Sequence, residues 1–203
     1  MTQLLLALRE LHREKIIHRD IKPENILLDE FPKGLSKNNK HLNGRYIVLT
    51  DFGWSKRIEN NKTSTQGLGT IEYSAPETMG KDGNEYGFEA DFWSIGILIY
   101  ELLVGERPFD ELLGGETKVV KELLKKRLEE EGVFFEKGIT EESKKKNKKF
   151  DNINNKAKDL IIKLVCFDPK DRLGYKGGCD EILEDPFFEK EEKDAFHKYA
   201  NEG

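Results

Sequence analysis

The sequence predicts a mainly α-helical fold with a small β component, and three observations carry that expectation. Apolar residues recur at helical spacing in several segments, only short runs of branched aliphatics read as strands, and the longest apolar stretch, "FWSIGILIYELLVG" at 92–105, has the character of a buried core helix. In chain order, Leu4, Leu8 and Leu11, with Leu5 alongside, predict an amphipathic helix over 2–14. "KIIH" reads as a short strand, and "NILLD" and "RYIVLTD" read as two more. Between the last two, residues 30–45 are rich in Pro, Gly, Asn and Lys and read as a solvated loop insertion. Residues 54–77 keep no sustained period and read as a long loop. After Gly87 come the buried helix and a charged helical pattern, "KVVKELLKKRLEEE". The polar linker "TEESKKKNKKFDNINNK" follows, its lysine run reading as a solvated surface. "AKDLIIKLVCF" predicts a further helix ended by "DPKDR", and a short helix near "CDEILEDPFF" precedes a charged tail, 189–203. No internal repeat is visible.

A chain of 203 residues has room for one well-buried domain, with or without an appendage. Hydrophobic and charged residues each make up 36%, and the net charge of −5 gives no electrostatic reason to expect nucleic acid or an anionic membrane as partner. Cys166 and Cys179 are too few for a disulfide framework or an unaided zinc site, which favours a reducing compartment: the cytoplasm, with the nucleus also admitted. The start, "MTQLLLALRELHREK", has an apolar run of only five residues, too short and too charged for a signal peptide. The stretch at 92–105 is short for a membrane span and carries Glu101.

The chemistry is concentrated in short motifs. "HRDIKPEN" sets His18, Arg19, Asp20, Lys22, Pro23 and Asn25 within eight positions, and "DFGWSK", "GTIEYSAPE", "DFWSIG" and "DPKDRLG" follow in order. A lone Asp-Phe-Gly is usually a turn and a lone His-Arg-Asp is usually surface. Five such motifs in this order are specific. Over residues 2 to 188 the chain resembles the larger, helical lobe of a eukaryotic protein kinase. The resemblance implies a kinase domain over 1–188 with the architecture of the C-terminal lobe of the protein-kinase-like α+β fold. The N-terminal lobe is expected to be absent, since the glycine-rich loop, strand lysine and helix glutamate are not found ahead of the motifs. ATP and Mg2+ are the implied cofactors and protein substrates the implied partners.

Phosphoryl transfer needs positioning and charge neutralisation more than covalent help. By resemblance, Asp20 accepts or orients the proton of the attacking hydroxyl, help typically worth about 3–5 kcal/mol of barrier. Lys22 lies two residues on, so in an extended loop it points to the same side, toward the charge building on the transferred group. Asn25 and Asp51 offer the hard oxygens that magnesium prefers, and Gly53 frees the backbone beside Asp51 to take either of two orientations. Lys22, Glu24, Asn25, Leu27 and Asp51 form the implied nucleotide side, with Leu27 beneath the adenine ring. Thr70 joins the catalytic set and, with Lys22, matches serine/threonine kinases over tyrosine kinases. Glu24 and Glu101 match positions that receive an arginine shortly before the phosphoacceptor; alternatively Glu101 only satisfies a buried polar neighbour.

Other positions are implied to be structural: His18 and Phe52 supporting the loop, Glu77 and Arg172 as a buried ion pair, and Asp91 holding the catalytic loop's backbone. The motif texture resembles the AGC group, and within it the N-terminal kinase domain of stress- and mitogen-activated kinases. Where that group carries its activating phosphothreonine, this chain has Gln66, with Thr63, Ser64 and Thr65 just upstream. Arg19 and Lys56 match two cations that bind such a phosphate, which implies an upstream activating kinase, with Thr65 as the candidate acceptor. Two competing expectations stand beside a kinase: a non-catalytic lobe that binds substrates or regulators, and a small-molecule phosphotransferase. The loop at 54–77 with its "APE" anchor argues against the latter.

Overall fold

The structure is a computed structural model that describes residues 1–30, 45–60, 62–64, 69–79, 85–110, 115–130 and 152–188. Most of the insertion at 30–45, the linker through 150, the tail 189–203 and Thr65 lie outside the described residues.

The predicted first helix is α1, Thr2–Arg13, whose Leu4, Leu5 and Leu8 are buried on one face. It leads into β1, Ile16–Ile17, which pairs antiparallel with β4, Lys56–Arg57. A 3-10 turn at Pro23–Asn25 joins β1 to β2, Ile26–Glu30, and β2 pairs antiparallel with β3, Arg45–Leu49, from Ile26 opposite Leu49 to Glu30 opposite Arg45. The sheet content is therefore two separate two-stranded ribbons among the described residues. The stretch 54–77 is less featureless than its lack of period suggests: it holds β4 and 3-10 turns at Ile71–Tyr73 and Pro76–Thr78. Strands of two residues are too short to leave a period in the sequence.

The core helix α2 runs Glu89–Val104, three residues earlier than the apolar run, and every residue from Ala90 to Tyr100 is buried. A helix apolar all round belongs in a core. Gly105, at φ 83°, ends it in the left-handed conformation that a glycine adopts without penalty, and its N–H bonds the Glu101 carbonyl at 2.7 Å. The charged helix is α3, Thr117–Glu130, with Val120 and Leu124 buried. Next is α4, Asn155–Leu164, capped by the Asn154 side chain accepting from the Lys156 N–H at 2.8 Å. The last helix described is α5, Gly178–Leu183. Helix α4 packs on α2 and α5 packs on α1. The α2–α4 approach is close: a Cβ on Gly96 would stand 2.5 Å from Val165 Cγ2 and 2.9 Å from Leu164 Cβ. One continuous apolar core results, with Trp93, Phe92 and Tyr100 among its largest members. The loop at 18–25 packs against it, with Ile21 a member of the core and His18, Asp20 and Asn25 buried. No described helix is long and apolar enough to cross a membrane.

Candidate active site

The loop is held from behind by one carboxylate. Asp91, fully buried in the first turn of α2, accepts from the backbone N–H groups of His18 at 2.9 Å and Arg19 at 2.8 Å, and from His12 Nε2 at 2.9 Å. Burial alone would raise its pKa, but the His12 bond and the two backbone donors outweigh that and hold it below the usual carboxylate value. His18 is itself buried. Its Nε2 meets the Thr50 carbonyl at 3.1 Å and its Nδ1 accepts from the Asp20 N–H at 3.3 Å, which fixes the ring's tautomer and orientation. Arg19 sits at φ 70°, an uncommon backbone state for a side chain of its size, and pinning by Asp91 is what sustains it.

This backbone delivers Asp20 into a dense polar cluster. Asp20 Oδ1 accepts from both the N–H and the hydroxyl of Thr70, at 3.0 and 2.8 Å, and Oδ2 meets Asn25 Nδ2 and Lys22 Nζ, each at 2.9 Å. Lys22 Nζ also donates to Thr70 Oγ1 at 2.6 Å. Burial pushes the Asp20 pKa up, yet the Lys22, Thr70 and Asn25 bonds together bring it below the ordinary value, so the group is a carboxylate at neutral pH. Thr70 can reach this position because Gly69 precedes it: at φ 83°, a Cβ there would come within 2.4 Å of the Arg19 carbonyl oxygen. The loops at 18–25 and 69–70 therefore meet backbone to backbone.

Asn25 gives both hydrogens of its amide nitrogen to Asp20, to the carbonyl at 2.8 Å and the carboxylate at 2.9 Å, so its Oδ1 is left without a hydrogen bond among the described residues. Asp51 is exposed and adopts φ 58°; its Oδ1 accepts from the Gly53 N–H at 3.1 Å. The left-handed backbone state falls on Asp51 itself, and Gly53 keeps a negative φ. What Gly53 contributes is space, since a Cβ there would lie 3.0 Å from Asp51 Oδ1. Phe52 packs edge-on against His18, with ring centroids 5.2 Å apart, and is otherwise half exposed. Leu27 is 53% exposed on β2.

Glu77 and Arg172 form a bidentate pair at 2.6 and 3.1 Å. Arg172 also donates to the carbonyls of Glu89 and Cys166 at 2.7 and 3.0 Å, and its guanidinium lies 5.3 Å from the Trp93 ring centroid. The "APE" segment is thereby tied to α2 and to the turn after α4. Glu24 is exposed and makes no ion pair among the described residues, whereas Glu101 is already engaged by the Tyr73 hydroxyl and faced by Arg107. Arg19 Nε donates to the Trp54 carbonyl at 2.6 Å and its Nη1 to the Tyr86 hydroxyl at 3.4 Å, while Lys56 Nζ donates to Thr63 Oγ1 at 3.0 Å. Thr63 and Tyr86 are joined by an isolated antiparallel bridge, so Lys56 reaches Thr63 itself and Arg19 reaches the side chain of its bridge partner. Two functional residues escape sequence reading. His12 stands behind Asp91, one helix away, and Tyr73 reaches Glu101; "GTIEY" could have drawn attention to the tyrosine, but nothing local singles out the histidine. Cys179, 4.0 Å from His12 Nδ1, is a packed thiol whose pKa burial pushes up to about 12.

The structure thus brings a buried, ionised aspartate together with a lysine, a threonine and an asparagine, and leaves a second aspartate, Asp51, exposed. The protein kinase domain family matches residues 1–188, and the chain belongs to that family. It is similar to human ribosomal protein S6 kinase alpha-4, 37% identical over 190 residues that cover 92% of this chain and 21% of the relative. It is also similar to two Dictyostelium discoideum proteins: developmentally-regulated protein kinase 1, 34% identical over 88% of this chain and 20% of the relative, and Aurora kinase, 35% identical over 93% and 38%. The chain thus spans between a fifth and two fifths of the length of these relatives.

Proposed function

We propose that residues 1–188 are the larger lobe of a protein serine/threonine kinase that transfers the γ-phosphate of ATP to hydroxyls of protein substrates. The observation that carries this reading is the Asp20 cluster, in which Lys22 Nζ and Thr70 Oγ1 are both bonded to one ionised carboxylate. With its pKa depressed, Asp20 is a weak base. It serves by orienting the attacking hydroxyl and receiving its proton late, as a loose phosphoryl-transfer transition state requires. Lys22 places positive charge beside the same carboxylate and toward the transferred group. Thr70 keeps the two aligned, and the serine/threonine choice draws on this Lys22–Thr70 pair and on the serine/threonine kinases among the relatives. The AGC group fits the motif texture, and the cytoplasm fits the cysteine usage.

The donor set suits a magnesium nucleotide. Among the described residues no group of three His, Cys, Asp or Glu side chains forms a metal cage. Two hard oxygens are nevertheless available, Asn25 Oδ1 and the exposed carboxylate of Asp51. Magnesium is commonly bound this way, by one or two protein oxygens with phosphates completing the shell. Bound there, the ion would neutralise phosphate charge; Leu27 would lie beneath the base.

The test is a magnesium-ATP phosphotransfer assay with the 203-residue polypeptide, using basic serine and tyrosine peptides and Asp20→Asn as background. The expected result is trace, Asp20-dependent transfer to serine only. Transfer is held to a trace because Leu27, Asp51 and Phe52 lie open to solvent. Positioning is worth roughly 7–11 kcal/mol in such reactions, and losing half of it slows transfer about a thousandfold or more. Tight peptide binding with no Asp20-dependent transfer would favour instead a non-catalytic substrate- or regulator-binding lobe.

A further inference from the structure

The ribbon of β2 and β3 carries Leu27, and a two-stranded ribbon is only marginally stable by itself. Its sheet holds just those two strands among the described residues, so the outer edge of β3 has no neighbouring strand. Helix α1 supplies a partner for that edge. It packs on β3, and its buried Thr2, Leu4 and Leu5 fix the backbone on either side of Gln3. Gln3 Oε1 accepts from the Ile47 N–H at 2.6 Å, and Gln3 Nε2 donates to the Arg45 carbonyl at 3.4 Å. Residues 45 and 47 are two apart on one strand, so these backbone groups face the same edge. A primary amide sets an acceptor oxygen and a donor nitrogen in one plane, as a peptide unit does. The Gln3 side chain thus stands where a third strand would pair. The far end of β3 is pinned separately, by the Thr50 N–H and hydroxyl donating to the Asn25 carbonyl at 2.9 and 3.1 Å. Between the two pins, Val48 stands opposite Leu27 and Ile47 opposite Leu28.

We propose that Gln3 is a positioning residue for the nucleotide base: by bonding Ile47 and Arg45 it holds the β2–β3 ribbon where Leu27 meets the adenine ring. The proposal rests on the kinase reading for the assignment of the base to Leu27. Leu27 is half exposed, so its place depends on the backbone that carries it more than on packing around its side chain. That backbone is held close by: Ile47 is next in the chain to Val48, whose partner across the ribbon is Leu27. When the Gln3 bonds are removed, the Thr50 pin remains. Asn25, which accepts from Thr50, and Asp51, which follows it, keep their places. The ribbon then swings about that pin, and Leu27 moves with it. Loss of Gln3 therefore weakens the hold on the base and spares the hold on the phosphates.

The experiment uses NMR on the isotopically labelled 203-residue chain, reading hydrogen exchange at the Ile47 amide and titrating two ligands, magnesium ADP and magnesium tripolyphosphate. Gln3→Leu and Gln3→Met keep the side chain's length and remove its polar atoms. Both are expected to speed Ile47 exchange about tenfold and to weaken ADP about three- to tenfold, the range one hydrogen bond commands. Tripolyphosphate affinity should stay as in native protein. Gln3→Glu keeps an oxygen for the Ile47 N–H and should bring back both the slow exchange and the ADP affinity. The proposal is overturned if the folded apolar variants leave Ile47 exchange unchanged, or if they weaken ADP and tripolyphosphate alike. It is equally overturned if both apolar variants unfold, since Gln3 would then be structural. Native ADP affinity in variants that have lost Ile47 protection overturns the Gln3 role alone and leaves the kinase reading standing. Fast Ile47 exchange in the variants with no ADP bound by any form, native included, sinks the kinase reading and the base-positioning role with it.

Discussion

Behind the loop at 18–25, Asp91 is fully buried and takes three hydrogen bonds, and Arg172 is buried with a bidentate carboxylate and two carbonyls. In front of it, Glu24, Leu27, Phe52 and Asp51 are exposed, and Asp51 keeps a single hydrogen bond, to its own turn. The contrast separates two uses of charge. At the rear, burial makes an unpaired ion so costly that every carboxylate is committed to a fixed donor, and the result is a rigid backbone. At the front, oxygen and apolar surface are left uncommitted, which is the condition for taking a ligand. Asp20 sits between the two: locked on its flanks by Lys22, Thr70 and Asn25, with its backbone set by the rear.

If this division is right, substitutions behind the loop cost stability and those in front cost selectivity. The largest loss is expected for Glu77→Ala, which strands the buried Arg172 charge; urea unfolding should show a loss of about 3–5 kcal/mol. An effect under 1 kcal/mol would mean that water reaches the pair. Next is Gly69→Ala. The left-handed backbone costs about 1–2 kcal/mol and the clash with the Arg19 carbonyl adds to it, so thermal unfolding should register about 2–4 kcal/mol. A fully stable variant would show that the two loops do not press together.

Asp91→Asn should cost about 1–3 kcal/mol near neutral pH by weakening charge-assisted bonds to three donors. This variant also sharpens the comparison through pH. The folded pKa of Asp91 is depressed, so its contribution is complete above the ordinary value of 3.8 and is lost as pH falls through the lower folded value. The stability gap between native protein and Asp91→Asn should therefore narrow as pH falls below 3.8. A gap that widened in acid would reverse the sign of the argument. The smallest change belongs to Glu24→Ala: stability within about 0.5 kcal/mol of native, as for an exposed, unpaired side chain, with weaker selection for arginine peptides than in native protein. A clear drop in unfolding midpoint would move Glu24 from the front to the rear.

The sequence by itself determined the elements whose signal is local. Helix α2 was legible because its residues are apolar all round, α1 because its leucines share one face, and the loop residues because His18 to Asn25 fall within eight positions. Their chemical types also limited what they could do: a carboxylate, an ammonium and an amide in one turn suit phosphate chemistry. What tertiary structure alone decided is which distant groups complete each carboxylate. His12 reaches Asp91 across 79 positions, Thr70 reaches Asp20 across 50, and Arg172 reaches Glu77 across 95. The Tyr73 contact with Glu101, across 28 positions, belongs to the same class. Periodicity and motif spacing report only neighbours along the chain. An ion pair's worth depends on burial and on angstrom-scale distance between segments, and those are set when α1, α2 and the loops pack on one core.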